Sequence, residues 1–245
     1  MNALKTVGFL SAITLFSSEV ASAPVLAQEN IAPREVKAFV YTELQNSVPF
    51  ESVPWEKRNI LISAQPGFIS KTWLSGLGNH STGGFYSFDS LENAQKYVTD
   101  FFPKAAETQG TAVTMRVFDA DIVKDASIDM HSVHFGAHLA QKPASYVYTE
   151  LQTSLDFSTF DWRTLDIELK KVQGLLTKTW LSGLGNNSVG GIYAFDTLEH
   201  AKDYAFRKFP SIAKNLNLAF YTRIFDANVT EEASENMHSP YYLQN

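Results

Sequence analysis

The chain has 245 residues, a hydrophobic content of 44% and a formal net charge of −6, with no run of basic residues. That composition suits globular structure in one large or two ordinary domains, and it argues against nucleic-acid binding, which needs clustered Lys and Arg. Cysteine is absent, so disulfides, thiolate catalysis and cysteine metal sites are excluded.

The first residues have the three-part pattern of an export signal. Lys5 supplies the positive start, Val7 to Phe16 is a short, mostly apolar run, and Val25-Leu26-Ala27 precedes Gln28. The run is too short for a spanning helix, so residues 1–27 are expected to be removed and the mature protein to be exported, periplasmic or secreted, with no membrane segment after cleavage. Val36–Gln45, rich in β-branched and aromatic residues, then reads as a strand. Pro54–Ala64 reads as a helix opened by proline, and Gly67–Leu77 and Gly83–Phe88 as a hairpin around a Gly/Asn turn. Asp89 with Glu92 resembles a capping box for a helix whose buried stripe is Leu91, Ala94 and Tyr97. Thr111–Asp119 closes the series as a strand. The order β-α-β-β-α-β is the ferredoxin-like arrangement.

The series then repeats. KTWLSGLGN occupies 71–79 and again 178–186, an offset of 107 that also relates Tyr41–Gln45 to Tyr148–Gln152 and Arg116–Ala120 to Arg223–Ala227. Between 41–132 and 148–239, 42 of 92 ungapped pairs are identical, which requires one fold for both copies. A repeat of this length duplicates a whole domain rather than a solenoid unit. The expected organisation is a first module at 36–120, a linker at 121–143, a second module at 144–227 and a tail at 228–245. The fold class is α+β.

Strand alternation sorts residues onto two faces. One is aliphatic and variable: Val40, Thr42, Leu44, Ser70, Thr72, Leu74, Phe85, Val113, Met115 and Val117. The other is aromatic, charged and the same in both copies: Tyr41, Glu43, Lys71, Trp73, Tyr86, Phe88, Arg116 and Phe118, with Tyr148, Glu150, Lys178, Trp180, Tyr193, Phe195, Arg223 and Phe225. Buried charges need partners, so this second face is expected to line a polar pocket or an interface, with Lys71 and Lys178 paired to Glu43 and Glu150.

Gly76-Leu77-Gly78 joins two strands and so is not a nucleotide loop. His131, His134 and His138 have the spacing of a helical metal site, but only His131 has a counterpart, His238, so a solvated linker is expected and no metal. Asn79 and Asn186 suit a tight turn.

The run PGFISKTW…N…GGFYSFDSLENAQKY…RVFDA resembles the YdhR-type mono-oxygenases of the dimeric α+β barrel superfamily. The second copy departs at its start, with Gln173 where Pro66 stands. The resemblance implies two ferredoxin-like modules pairing within one chain as an intramolecular α+β barrel with two equivalent pockets. It also implies oxidation of a small aromatic or phenolic compound by dioxygen without a cofactor. The residue types that match such a site are Trp73, Asn79, Tyr86 and Arg116, and Trp180, Asn186, Tyr193 and Arg223. Trp and Tyr would form walls and donors, Arg would hold the developing anion, and Asn would orient substrate or oxygen. Two other classes stay open: an exported binding module for a small hydrophobic ligand without catalysis, and a structural pseudo-dimer whose aromatic face is only a seam.

Overall fold

A computed structural model of the protein describes residues 34–153, 155–186 and 188–243. The expected export signal at 1–27 lies outside the described residues. In the first module, β1 (Ala38–Leu44) leads to α1 (Trp55–Ser63), the hairpin β2 (Phe68–Gly76) and β3 (Thr82–Phe88), α2 (Leu91–Lys96), α3 (Phe102–Gln109) and β4 (Val113–Asp119). A π-turn at Tyr97–Phe101 joins α2 to α3. After α4 (Lys124–Asp129) the second module repeats the order with β5 (Ser145–Gln152), α5 (Trp162–Leu169), β6 (Leu175–Ser182), β7 (Ser188–Phe195), α6 (Leu198–Asp203), α7 (Phe209–Asn215) and β8 (Phe220–Asp226), and ends on α8 (Glu231–Glu235). The ferredoxin-like reading therefore holds in both copies. The helix cap falls one residue later than expected. Ser90 Oγ accepts from Asn93 N at 3.2 Å and Thr197 Oγ1 from His200 N at 3.2 Å, while Asp89 and Asp196 bind the side chains of Asn93 and His200.

All eight strands form one antiparallel sheet in the order β4-β1-β3-β2-β8-β5-β7-β6. Ser75 and Gly76 pair with Asp226 and Phe225, and the equivalent bridge Phe118–Gly183 brings β4 to β6 and closes the ring. The two modules thus pair within the chain as an α+β barrel, with their helices outside.

The segment expected to be a solvated linker is instead structural. Lys178 N donates to Met130 O at 3.3 Å, Trp180 N to Ser127 Oγ at 3.0 Å and Thr177 Oγ1 to His131 O at 2.7 Å, so α4 and its turn cover the half of β6 that no strand pairs. The second copy returns the arrangement. Lys71 N donates to Met237 O at 3.0 Å and Trp73 N to Ser234 Oγ at 2.9 Å, so α8 covers β2 of the first module. His131 and His138 are exposed, whereas His134 is buried, 2.9 Å from Thr179 Oγ1 through Nδ1. It packs edge-on against Phe39, Phe85 and Tyr241, its counterpart at the 107-residue offset.

Burial lowers the His134 pKa to about 3. The folded state then binds fewer protons than the unfolded chain between about pH 6.5 and pH 3, so stability is full above pH 6.5 and falls as acid is added through that window. Replacing His134 by Phe is expected to remove this slope, worth on the order of 5 kcal/mol between those limits. Urea midpoints measured from pH 7 to pH 4 would read it, and parallel curves for the two proteins would refute the assignment.

Candidate active site

The strand register divides the expected aromatic and charged face in two. Tyr41 stands opposite Phe85 and Arg116, whereas Tyr86 stands opposite Val40 and Lys71. Residues directly opposite in an antiparallel pair share a face. Tyr41, Glu43, Arg116 and Phe118 therefore point into the barrel, and Lys71, Trp73, Tyr86 and Phe88 point outward beneath the helices. Val40, Thr42, Leu44, Val113, Met115 and Val117 join the outward set, and Ser70, Thr72, Leu74 and Phe85 the inward set. The grouping of Trp73, Tyr86 and Arg116 in one pocket is corrected accordingly, as is that of Trp180, Tyr193 and Arg223. Alternation fixes two sets within a strand but not which sets coincide between strands.

Inside the barrel, the Tyr41 and Tyr148 rings stack at 4.1 Å with 3° between planes. Each tyrosine donates to the glutamate two residues on, at 2.8 Å. Arg116 pairs with Glu150 at 3.3 Å, and Arg223 pairs with Glu43. Glu43 also accepts from Ser81 Oγ at 2.5 Å and Tyr221 OH at 3.1 Å. These contacts depress the Glu43 carboxyl against its burial, Ser81 and Arg223 foremost. The arginines are cross-module links. Asn79 and Asn186 stay in the hairpin turns, where each Oδ1 accepts the backbone N–H two residues on, Ser81 at 3.2 Å and Ser188 at 3.1 Å. Neither asparagine lines either of the cavities beneath the helices.

On the outward face, sheet and helices of the first module enclose a cavity of about 90 Å³. Its walls are Trp73, Tyr86, Tyr97, Phe101 and Phe102, with Ile62, Leu44 and Ala105; Lys71 reaches it from the sheet, and Arg58, Leu61 and Gln109 stand at its mouth. Trp73 is fixed by a bond from Nε1 to Asn59 Oδ1 at 2.9 Å. Tyr86 and Thr42 hydroxyls lie 3.3 Å apart. The Tyr97 hydroxyl, on the π-turn, has no hydrogen-bond partner among the described residues. Such a turn re-aims side chains and is common at functional sites.

Lys71 is the residue that sequence reasoning misplaced. It is 1% exposed, and its amine lies over the Trp73 ring, on the opposite sheet face from Glu43. Burial pushes its pKa well down, and the nearby Arg58 guanidinium pushes the same way. Gly84 leaves room for it, since a Cβ there would meet the Lys71 stem. Arg58 is bonded through Nη2 to Gln109 Oε1 at 2.9 Å and forms no ion pair among the described residues. The signal for this site was a difference between copies. Arg58, Ala105 and Gln109 become Leu165, Ile212 and Leu216. The second cavity is correspondingly smaller, about 30 Å³. There Asp166 replaces Asn59, accepts from Trp180 Nε1 at 2.9 Å and supplies Lys178 with a negative neighbour. Burial in turn raises the Asp166 pKa to about 6.

The family model of the ydhR mono-oxygenases matches residues 58–130 and again 156–239. The chain belongs to that family, described as putative mono-oxygenase ydhR. No curated protein sequence matches the chain significantly. Solved structures similar to it include an anthrone oxidase-like protein, with a TM-score of 0.54 and 15% identity, covering 80% of this chain and 93% of that one. Another is a putative monooxygenase from Lactobacillus acidophilus NCFM, with a TM-score of 0.45 and 8% identity, covering 77% and 93%. At that distance the first likeness speaks for the fold alone. The first match starts within α1 and the second just before α5, and they end just past α4 and α8.

The Lys71 amine has a folded pKa below its unfolded value, so it costs stability below the unfolded value, and that cost fades as pH rises towards about 10.5. Lys71→Met is therefore expected to stabilise the protein at pH 7, with a smaller gain at pH 10. Thermal unfolding at the two pH values checks this. A loss of stability at pH 7 would mean that the amine is held by a partner instead.

Proposed function

We propose that the chain is a cofactor-independent mono-oxygenase, and that the first-module cavity binds a small phenolic aromatic together with dioxygen. One observation carries the reading: of two copies, only the first keeps an open aromatic cavity with an unpaired guanidinium and a buried amine free of carboxylates among the described residues. The Lys71 amine, whose pKa burial and Arg58 push well down, takes the phenol proton. Arg58 and the resulting ammonium stabilise the phenolate where little water can compete. That anion supplies the electrons that reduce dioxygen. One oxygen atom is inserted as a ring carbonyl in place of two hydrogens, and the other leaves as water. Trp73, Tyr86 and Phe102 hold the ring. The second module, with its cavity narrowed by Ile212, contributes the other half of the barrel. The amino-terminal pattern supports export as the setting.

The test is oxygen uptake with a panel of quinols and polyphenols on protein stripped of metal. Uptake is expected with wild type. It should fall at least about tenfold in Ala105→Ile, which copies the second module's filling, and Arg58→Leu should lower kcat more than it raises KM. Saturable ligand binding without uptake, in protein that remains folded, would instead favour a non-catalytic binding module.

A further inference from the structure

The Lys71 amine has a second property that proton transfer does not use. An unprotonated amine in a desolvated pocket beside another cation is a nucleophile towards carbonyl carbon. Four observations place that property in a usable site. Lys71 lines the cavity, with its amine over the Trp73 ring that forms one wall. No carboxylate acts on it among the described residues, because the position that carries Asp166 in the second module carries Asn59 here. Tyr97 is buried and lines the same cavity, and its hydroxyl faces that of Tyr86 without meeting hydrogen-bond geometry to any of the described residues. Arg58, at the mouth, has no ion-pair partner among the described residues.

We propose that the first-module cavity is a carbonyl-capture site, in which Lys71 condenses with a small aromatic aldehyde or ketone that carries an anionic group. The amine nitrogen adds to the carbonyl carbon, and a proton moves from nitrogen to oxygen to give a carbinolamine. The carbon–oxygen bond then breaks, the oxygen leaves as water with the second nitrogen proton, and a carbon–nitrogen double bond remains. No oxidant or reductant is consumed. Tyr97 donates a hydrogen bond to the oxygen as it leaves, and Arg58 receives the anionic group at the mouth. The second module cannot do the same. Burial depresses Lys178 as well, but Asp166 opposes that shift, Leu165 stands where Arg58 does, and the cavity is a third of the size.

The experiment is anaerobic incubation of the whole protein at pH 7 with 4-carboxybenzaldehyde, followed by borohydride reduction and peptide mass mapping. One adduct per chain on Lys71 is expected, formed at least about 100-fold faster than on any surface lysine, with none on Lys178. Benzaldehyde, which lacks the carboxylate, should react at least tenfold more slowly in wild type and no more slowly than the acid in Arg58→Leu. Asn59→Asp, which supplies the missing carboxylate, should cut capture at pH 7 by at least tenfold and recover it at pH 10. Labelling spread over surface lysines by exposure, equal labelling of Lys178, or no adduct on a folded wild type would each overturn the proposal. The readout needs no oxygen and no turnover, so its failure leaves the oxygen-uptake result standing, and a failure of uptake leaves the adduct standing.

Discussion

The structure depends on how two strands, one in each module, satisfy their outer edges. Strand β2 pairs with β8 only through Ser75 and Gly76, which leaves the backbone donors of Lys71 and Trp73 without a strand partner. A buried N–H with no acceptor costs free energy on the order of 1–3 kcal/mol. The turn after α8 supplies Met237 O, and α8 supplies Ser234 Oγ; α4 and its turn do the same for Lys178 and Trp180. Each module's carboxy-terminal helix therefore completes the other module's sheet. Neither copy has a satisfied edge alone, and the backbone of the candidate site is fixed by residues from the far half of the chain.

That exchange explains why the barrel interior tolerates charge. Closing the ring brings Glu43 and Glu150 to the seam between modules, where Arg223 and Arg116 come from the opposite copy. Within one module each glutamate keeps only its neighbouring tyrosine, Gln152 or Ser81. Removing a buried partner leaves an uncompensated charge, worth several kcal/mol. The charges thus make pairing obligatory, and they specify one register because the Tyr41–Tyr148 stack sits between them on the approximate two-fold axis.

Much of this was legible in the residues, for physical reasons that also mark where legibility ends. Element order follows from local period and from the 107-residue repeat, and the strands begin and end within two residues of expectation. Face assignment across strands failed because it depends on register, which is non-local: β2 was phased correctly with β3, and β1 with β4, but β1 pairs with β3 so that Val40, not Tyr41, stands opposite Tyr86. Lys71 was set beside Glu43 on that faulty phase, although the pairing puts them on opposite faces. The segment 121–143 looked like a solvated linker because its partner strand lies fifty residues away. His134 lost its meaning because its counterpart, Tyr241, is a different residue type doing the same packing.

The difference between the modules is where a duplicated fold separates stability from chemistry. A buried lysine is expensive in both copies: burial pushes Lys178 well down too, and its amine has no hydrogen-bond partner among the described residues, but there Asp166 opposes the shift and Ile212 fills the space beside it. The first copy keeps the expensive arrangement, with an amide in place of the carboxylate, an added guanidinium and an open cavity. The lost carboxylate and the added guanidinium both disfavour the ammonium form, and the open cavity does not improve packing. A site that were only structural would drift towards the cheaper solution, since cores need volume rather than particular chemistry. The copy that carries the strain is the copy with room for a ligand, and strain of this kind persists where the surrounding fold over-determines it and the neutral amine has a use.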